Sequence, residues 1–258
     1  MANTLQFRPT IFLDTNALHY ISSYLRWAER ENLPPFQGGV TFEQVRDALR
    51  QRMPRSIADL LLHGAKTLAF LQQQVNDQEA AIYTSRFAKA EVIYGVLEGQ
   101  AHARLAQEGL PYRMRQRAGV LSELVTMYLE AQDYRQVIRE WDYFLNRLKN
   151  NGHIMVSYVE DEENFSRIAE VAEFLQSRVF MDVVDSWMYA CALVMQAEEI
   201  ITFDGYFKRV INRLHNPQGE PDWQQLQSDL QKMLAERFPG APTLPEVKSL
   251  PQTLPNPW

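Results

Sequence analysis

Two short apolar runs, each ending in an aspartate, decide the fold. Residues 10–14 are Thr-Ile-Phe-Leu-Asp, and residues 199–204 are Glu-Ile-Ile-Thr-Phe-Asp. Short apolar runs bounded by polar residues are typical of strands that are buried on both faces, as in a parallel sheet. Because ligands of such sheets bind beyond the carboxyl ends of the strands, we predict that Asp14 and Asp204 lie at the ligand-binding edge.

Further segments alternate between strand and helix along the chain. Two more strands are predicted at residues 80–84 and 154–159, and helical patterns separate the strands. This alternation predicts the α/β class with a mostly parallel central sheet. Apolar spacing and capping residues predict helices at residues 41–54, 57–75, 164–176, 182–197, 205–214 and 223–237, and another that begins after Ser85 and carries Glu91.

The chain is predicted to form one main domain at residues 9–215, with a helical insertion at about residues 100–150. Residues 216–258 are predicted to form a C-terminal helix and a proline-rich tail. Six of the thirteen prolines lie from Pro239 onward, so the tail cannot be helical. We expect it to be an extended strap or disordered.

Composition excludes several classes of protein. A chain of 258 residues with 46% hydrophobic content can bury the core of one large domain. The single cysteine, Cys191, rules out an internal disulfide and fits a reducing cytoplasm, where we expect the protein. The N-terminus lacks a signal-peptide pattern and no apolar run could span a membrane, so we expect no membrane partner. The net charge of −6 argues against a protein that wraps duplex DNA non-specifically.

Three further acids are placed to join Asp14 and Asp204. Glu91 lies on the helix after the second predicted strand, and Asp182 and Asp185 lie in the first turn of a later helix. Clustered carboxylates repel one another, and bound cations relieve that repulsion. Magnesium takes one or two carboxylates together with waters and phosphate oxygens, and it activates water for phosphodiester hydrolysis. The pattern therefore indicates a metal-dependent site for phosphodiester chemistry.

Each acid also has a structural interpretation, which the sequence leaves open. Asp14 could occupy a polar turn, and Asp204 could cap the helix that follows it. Asp182 and Asp185 could be the cap and first-turn acids that the helix dipole favours. Glu91 could be a solvated helix residue.

Four blocks of sequence, in family order, resemble the motifs of PIN-domain nucleases. In those domains the opening strand runs into Asp followed by Thr or Ser and often Asn, and the last strand carries a hydroxyl residue two positions before its acid. The same features occur here, between residue 11 and about residue 214. The blocks are residues 11–16 (IFLDTN), 83–91 (YTSRFAKAE) with Gly95, 185–192 (DSWMYACA), and 200–204 (IITFD) with Phe207.

This resemblance implies a three-layer α/β/α fold with helices on both faces of the sheet. It also implies metal-dependent endonucleolytic cleavage of single-stranded RNA, with Mg²⁺ or Mn²⁺ as cofactor and RNA as partner. The residues implied are Asp14, Glu91, Asp185 and Asp204 as catalytic metal ligands, Asp182 as a further metal ligand, and Asn16 and Thr202 as supporting polar groups.

Departures from the family pattern leave the biological role open. Small PIN toxins are about half as long, whereas here long segments separate Asp14 from Ser85 and Glu91 from Asp185. A catalytically silent PIN scaffold that binds RNA or a protein partner is one alternative, and a structure-specific DNA nuclease of the related flap-endonuclease type is another. The sequence does not decide whether the chain forms a homo-oligomer or binds a cognate inhibitor protein.

A basic group is the predicted RNA-binding surface. Arg113, Arg115 and Arg117, beside Tyr112, form the densest cluster of positive charge. They would contact phosphates around the acidic centre, and the tyrosine could stack on an unpaired base. An ordinary solvated helix surface is the alternative interpretation.

Other polar residues have simpler interpretations. The five histidines are scattered and lack zinc-ligand spacing, so we expect structural or surface roles. Cys191 lies on an apolar helix face and is expected in the core. The acids at residues 160–163 are expected to cap the helix that follows them.

Overall fold

A five-stranded parallel sheet forms the centre of the protein. The structure is a computed structural model that describes residues 8–33, 35, 47, 55–109, 129–237 and 244–248. Its strands are β1 (Thr10–Leu13), β2 (Ala81–Thr84), β3 (Val156–Tyr158), β4 (Glu199–Ile201) and β5 (Glu246–Lys248). They lie in the order β3-β2-β1-β4-β5, and each neighbouring pair is parallel.

Helices flank this sheet, which confirms the predicted α/β class. The predicted strands and helices are present in the described residues, with shifts of a few residues at their ends. The helix predicted at residues 41–54 lies almost wholly outside the described residues. The helices are α1 (Thr15–Arg30), α2 (Arg55–Gln78), α3 (Arg86–Gln107), α4 (Ala131–Gly152), α5 (Glu162–Phe174), α6 (Val183–Val194), α7 (Gly205–His215) and α8 (Pro221–Arg237).

The connections between strands create a switch point between β1 and β4. From β1 the chain runs to β2 and β3 on one side, and it then returns past β1 to β4 and β5 on the other side. Parallel crossovers are right-handed, so the connecting helices of the two halves cover opposite faces of the sheet. The loops that leave β1 and β4 therefore diverge, and a crevice opens at the carboxyl edge of the sheet. Asp14 and Asp204 follow these two strands and stand at that crevice.

The sequence does not predict β5. It lies in the proline-rich tail, where we expected an extended strap or disorder, and at Glu246–Lys248 the chain is extended as an edge strand. The backbone N–H of Thr202 donates to the carbonyl of Lys248 at 3.2 Å. A three-residue strand with one apolar side chain has no recognisable pattern, so only its backbone bonds to β4 identify it. The strand joins the sheet of the predicted main domain although it lies beyond residue 215.

Three helix ends show how the chain starts or stops a helix. Ser85 caps α3, its hydroxyl accepting the N–H of Phe87 at 2.9 Å. The helix α4 ends at Gly152, and the residue that stops it is His153, whose φ of 55° is left-handed. α5 does not stop at Phe174, because one π-helical turn, Leu175–Val179, continues it.

The packing of α1 on α2 depends on Gly64. A Cβ at this position would lie 2.1 Å from the carbonyl oxygen of Tyr20 and 2.9 Å from Cβ of Tyr24. Atoms of real proteins do not approach so closely, so a side chain here would push the two helices apart. Since α1 begins directly after Asp14, that displacement would reach the crevice at the sheet edge.

We predict that Gly64→Ala lowers the free energy of unfolding by about 1–3 kcal/mol, because the added methyl group overpacks the contact between α1 and α2. Gly99→Ala is the matched control, since Gly99 is also helical and its Cβ would meet nothing within 4 Å. That control should raise the free energy of unfolding by about 0.5–1 kcal/mol. Urea unfolding measures both, and a Gly64→Ala variant as stable as the wild type would contradict the close helix approach.

Candidate active site

A continuous hydrogen-bond chain at the carboxyl edge links Glu91, Asp14 and Asp204. The Thr15 hydroxyl donates to Oε2 of Glu91, and the Thr15 N–H donates to Oδ1 of Asp14 at 2.7 Å. The Thr202 hydroxyl donates to Oδ2 of Asp14 at 2.7 Å and accepts the N–H of Asp204 at 3.0 Å. Three of the acids singled out by sequence therefore converge from β1, α3 and β4.

Asp14 lies at the centre of this chain and is 7% exposed. Burial raises the pKa of its carboxyl to about 6, against the lowering effect of the hydrogen bonds from Thr202 and Thr15. The negative charges of Glu91 and Asp204 raise this pKa further. Ionised Asp14 therefore lacks a counter-charge that would match its degree of burial.

Asp185 belongs to the same electrostatic neighbourhood. It lies in the first turn of α6, where burial and the charge of Asp182 raise the pKa of its carboxyl to about 7. The charges of Asp14, Asp204 and Glu91 raise this pKa as well. The acids that follow β1 and β4 thus interact with those carried by α3 and α6 across one space at the sheet edge.

Three of these aspartates also have the structural role that the sequence left open, because each one is a helix N-cap. Asp14 caps α1 through Oδ1, and Asp182 caps α6 by accepting the N–H of Asp185 at 2.8 Å. Asp204 caps α7 by accepting the N–H groups of Tyr206 and Phe207 through Oδ1. Capping uses one carboxylate oxygen in each case; the second oxygen of Asp14 accepts the Thr202 hydroxyl and keeps a further lone pair for another ligand.

The donor set suits a hard cation that binds with few direct protein ligands. Among the described residues, no three His, Cys, Asp or Glu side chains stand close enough together to hold a metal ion between them. Mg²⁺ needs only one or two carboxylates and completes its shell with water and substrate oxygens. Asp14 is buried and Asp185 is partly buried, and a cation beside either carboxyl would stabilise its ionised form against the causes that raise its pKa.

Glu160 is a buried carboxylate at the same edge of the sheet, and the role predicted for it from the sequence was wrong. The acids at residues 160–163 were expected to cap α5, and Asp161 does so. Glu160 turns instead to the start of α3, where it accepts the N–H of Arg86 at 2.8 Å and the hydroxyl of Ser85 at 2.6 Å. It also accepts the indole N–H of Trp187 at 3.2 Å. Its position just beyond a parallel strand, like that of the aspartates, is the signal that could have found it.

Tyr20 borders the acids from α1, and no pattern in the sequence pointed to it. Its ring lies 5.0 Å from that of Phe203, which in turn lies 4.8 Å from the ring of His63. Burial raises the pKa of the Tyr20 hydroxyl, and the charges of Asp14 and Asp204 raise it further. The side chain therefore forms part of the wall of the acidic crevice.

Other predicted residues lie as follows. Asn16 is partly buried on the first turn of α1, next to the acidic chain. Burial lowers the pKa of His215 to about 4, so this histidine is neutral and serves as a hydrogen-bond partner of Tyr189. Cys191 is buried in the core as expected, and burial raises the pKa of its thiol, so it is no nucleophile. The group Arg113, Arg115 and Arg117 lies outside the described residues, as does Tyr112.

Comparison with known proteins adds no relative. No family matches the chain, and no curated protein or solved structure is significantly similar to it. The resemblance to PIN domains therefore rests on the four blocks of sequence. No helix in the described part of the chain combines the length and apolar character needed to cross a bilayer.

We predict that Asp14→Asn stabilises the metal-free protein at pH 8 but not at pH 4. The folded-state pKa of Asp14, about 6, lies above its ordinary value of 3.8. Protonated Asp14 therefore contributes fully to the free energy of unfolding below about pH 4, and this contribution is lost as the pH rises through 6. This shift in the pKa of Asp14 corresponds to a loss of at most about 3 kcal/mol in the free energy of unfolding. The Asp14→Asn variant avoids the loss because its amide stays uncharged.

Thermal melts in EDTA across this pH range measure the effect. Asp142→Asn, which removes an exposed carboxylate on α4, controls for the loss of one negative charge. A melting-temperature difference between Asp14→Asn and wild type that stays constant from pH 4 to pH 8 would show that Asp14 is not held under electrostatic strain.

Proposed function

We propose that this protein is a metal-dependent ribonuclease of PIN type, which hydrolyses phosphodiester bonds in single-stranded RNA. The observation that carries this proposal is the hydrogen-bond chain from Glu91 through Asp14 to Asp204 at the switch point of a parallel sheet. Asp185 faces the same acids from α6. Carboxylates that are gathered at the ligand-binding edge of a sheet are suited to bind a cation and phosphate together.

Each residue has a distinct part in this proposal. Asp14 and Asp185 would hold Mg²⁺ or Mn²⁺ most directly, with Glu91, Asp204 and Asp182 around them. A bound divalent ion would polarise the phosphate and activate a water molecule. The Thr202 hydroxyl fixes the orientation of the Asp14 carboxylate, because it binds the oxygen that the helix cap leaves open.

A catalytically silent scaffold that binds RNA is the second candidate. Two observations favour it: the described acids form no ready group of three metal ligands, and three of the aspartates already cap helices. Under this alternative the acidic edge is a structural junction, and the chain binds RNA without cutting it.

The arginine group remains a proposal from sequence. Arg113, Arg115 and Arg117 would contact the RNA backbone and offset the repulsion between the acidic crevice and the phosphates. Their replacement by alanine should weaken RNA binding and flatten its dependence on salt.

A cleavage assay tests the proposed activity. Purified protein is incubated with labelled single-stranded RNA, single-stranded DNA and branched duplex DNA, in Mn²⁺, in Mg²⁺ and in EDTA. We expect cleavage of RNA with either metal and none in EDTA. Asp185→Asn should lower the rate by at least about a hundredfold, because a metal ligand is lost. Asp142→Asn should cut RNA at the wild-type rate.

The other outcomes assign the rival functions. Full activity in EDTA would refute metal dependence. Binding of RNA without cleavage in either metal would identify the silent scaffold, and cleavage of branched duplex DNA alone would identify a structure-specific DNA nuclease. Unchanged cleavage by Asp185→Asn would remove that residue from the active site.

A further inference from the structure

Three aromatic side chains from three helices meet beside the acidic crevice. Phe87 lies at the start of α3, Phe165 in the first turn of α5 and Trp187 in α6. The ring of Trp187 lies 5.1 Å from that of Phe87 and 5.3 Å from that of Phe165, with interplanar angles of 44° and 57°. We call these three residues the aromatic platform.

The platform is exposed to solvent although its members are large and apolar. Phe165 is 55% exposed and Phe87 is 38% exposed. The orientation of the Trp187 ring is nevertheless fixed by a hydrogen bond, since buried Glu160 accepts its indole N–H at 3.2 Å. An exposed aromatic surface whose central ring is oriented by a buried carboxylate is built for contact with something outside the chain.

The aromatic platform lies next to the candidate active site. Phe87 precedes Glu91 by one helical turn, so both side chains project from the same face of α3. Trp187 lies two residues after Asp185 in α6, so it points to a different face of that helix, and its contact with Phe87 is what links it to the crevice. The platform therefore borders the acidic crevice on the side formed by α3 and α6.

The charged and aromatic groups around the platform favour one kind of ligand. The acids repel phosphate groups until a cation is present, whereas a nucleobase is neutral and binds aromatic rings through its π-face. Only an unpaired base exposes that face, because bases within a duplex are stacked on one another. Arg86, exposed beside Phe87 and placed over the ring of Tyr158 at 5.5 Å, supplies positive charge at the edge of the platform.

We propose that Phe87, Phe165 and Trp187 form a stacking site for an unpaired nucleobase that lies next to the phosphodiester held at the acidic crevice. This inference rests on the proposed ribonuclease function, which it deepens by explaining how the enzyme selects single strands. Glu160 acts as a positioning residue, since it orients Trp187 without touching the base.

Binding of short oligonucleotides with non-hydrolysable phosphonate linkages, measured in Mn²⁺, tests the proposal without any cleavage. Fluorescence anisotropy compares wild type with Phe165→Ala, Phe165→Tyr and Tyr143→Ala, on a single-stranded RNA and on the same strand with abasic positions. Phe165→Ala should weaken binding of the intact strand by about tenfold, because stacking on one ring is lost. It should leave binding of the abasic strand unchanged, and Phe165→Tyr should keep wild-type affinity.

Tyr143→Ala is the matched control. Tyr143 is 54% exposed, close to the value for Phe165, and its hydroxyl donates to Glu29 near the far end of α1. That end lies about 20 Å along the helix from Asp14. This variant should bind both strands as the wild type does.

The results separate the platform from the ribonuclease activity. Equal affinity of wild type and Phe165→Ala for the intact strand would overturn the platform, even if the wild type cuts RNA in Mn²⁺. An equal loss on intact and abasic strands would also overturn it, because the ring would then contact the backbone or a protein surface. A tenfold loss confined to the intact strand, in a protein that never cuts RNA, would support the platform and refute the proposed activity. Failure of the wild type to bind any single strand would overturn the platform.

Discussion

The hydrogen bond from the Thr202 hydroxyl to Oδ2 of Asp14 joins the two strands on which the candidate site depends. It connects the carboxyl end of β1 to that of β4, across the point where the strand order reverses. The Asp14 carboxylate is buried there, and its other oxygen accepts the first N–H of α1. Because both oxygens are held, a central carboxylate lies in a defined orientation between two sheet strands and a helix.

Helix capping and the proposed metal binding would use the same carboxylates at this edge. Aspartates that cap α1, α6 and α7 satisfy backbone N–H groups, which anchors the helices to the sheet. The same placement crowds negative charge into one crevice and raises the pKa of Asp14 and Asp185. A cation would relieve that strain, so the structural role of the caps and a role in metal binding are compatible. Only the second requires Glu91, which caps no helix.

Glu160 ties a further part of the edge together. Its carboxylate receives N–H and O–H donors from the start of α3 and from Trp187, so β3, α3 and α6 share one buried acceptor. The aromatic platform stands on this junction. The edge of the sheet thus carries an acidic crevice and, beside it, an exposed aromatic surface.

The sequence by itself determined the α/β class, four of the five strands and the acids that follow β1 and β4. It could do so because apolar runs, capping residues and the strand-to-acid step are local patterns. It did not reveal β5, whose three residues carry no pattern and are held by backbone bonds to β4. The contact between Thr15 and Glu91, the turn of Glu160 toward α3 and the meeting of Phe87, Phe165 and Trp187 join residues far apart in the chain. Only the packing of helices on the sheet decides such contacts, since no local pattern specifies which distant side chains will share a space.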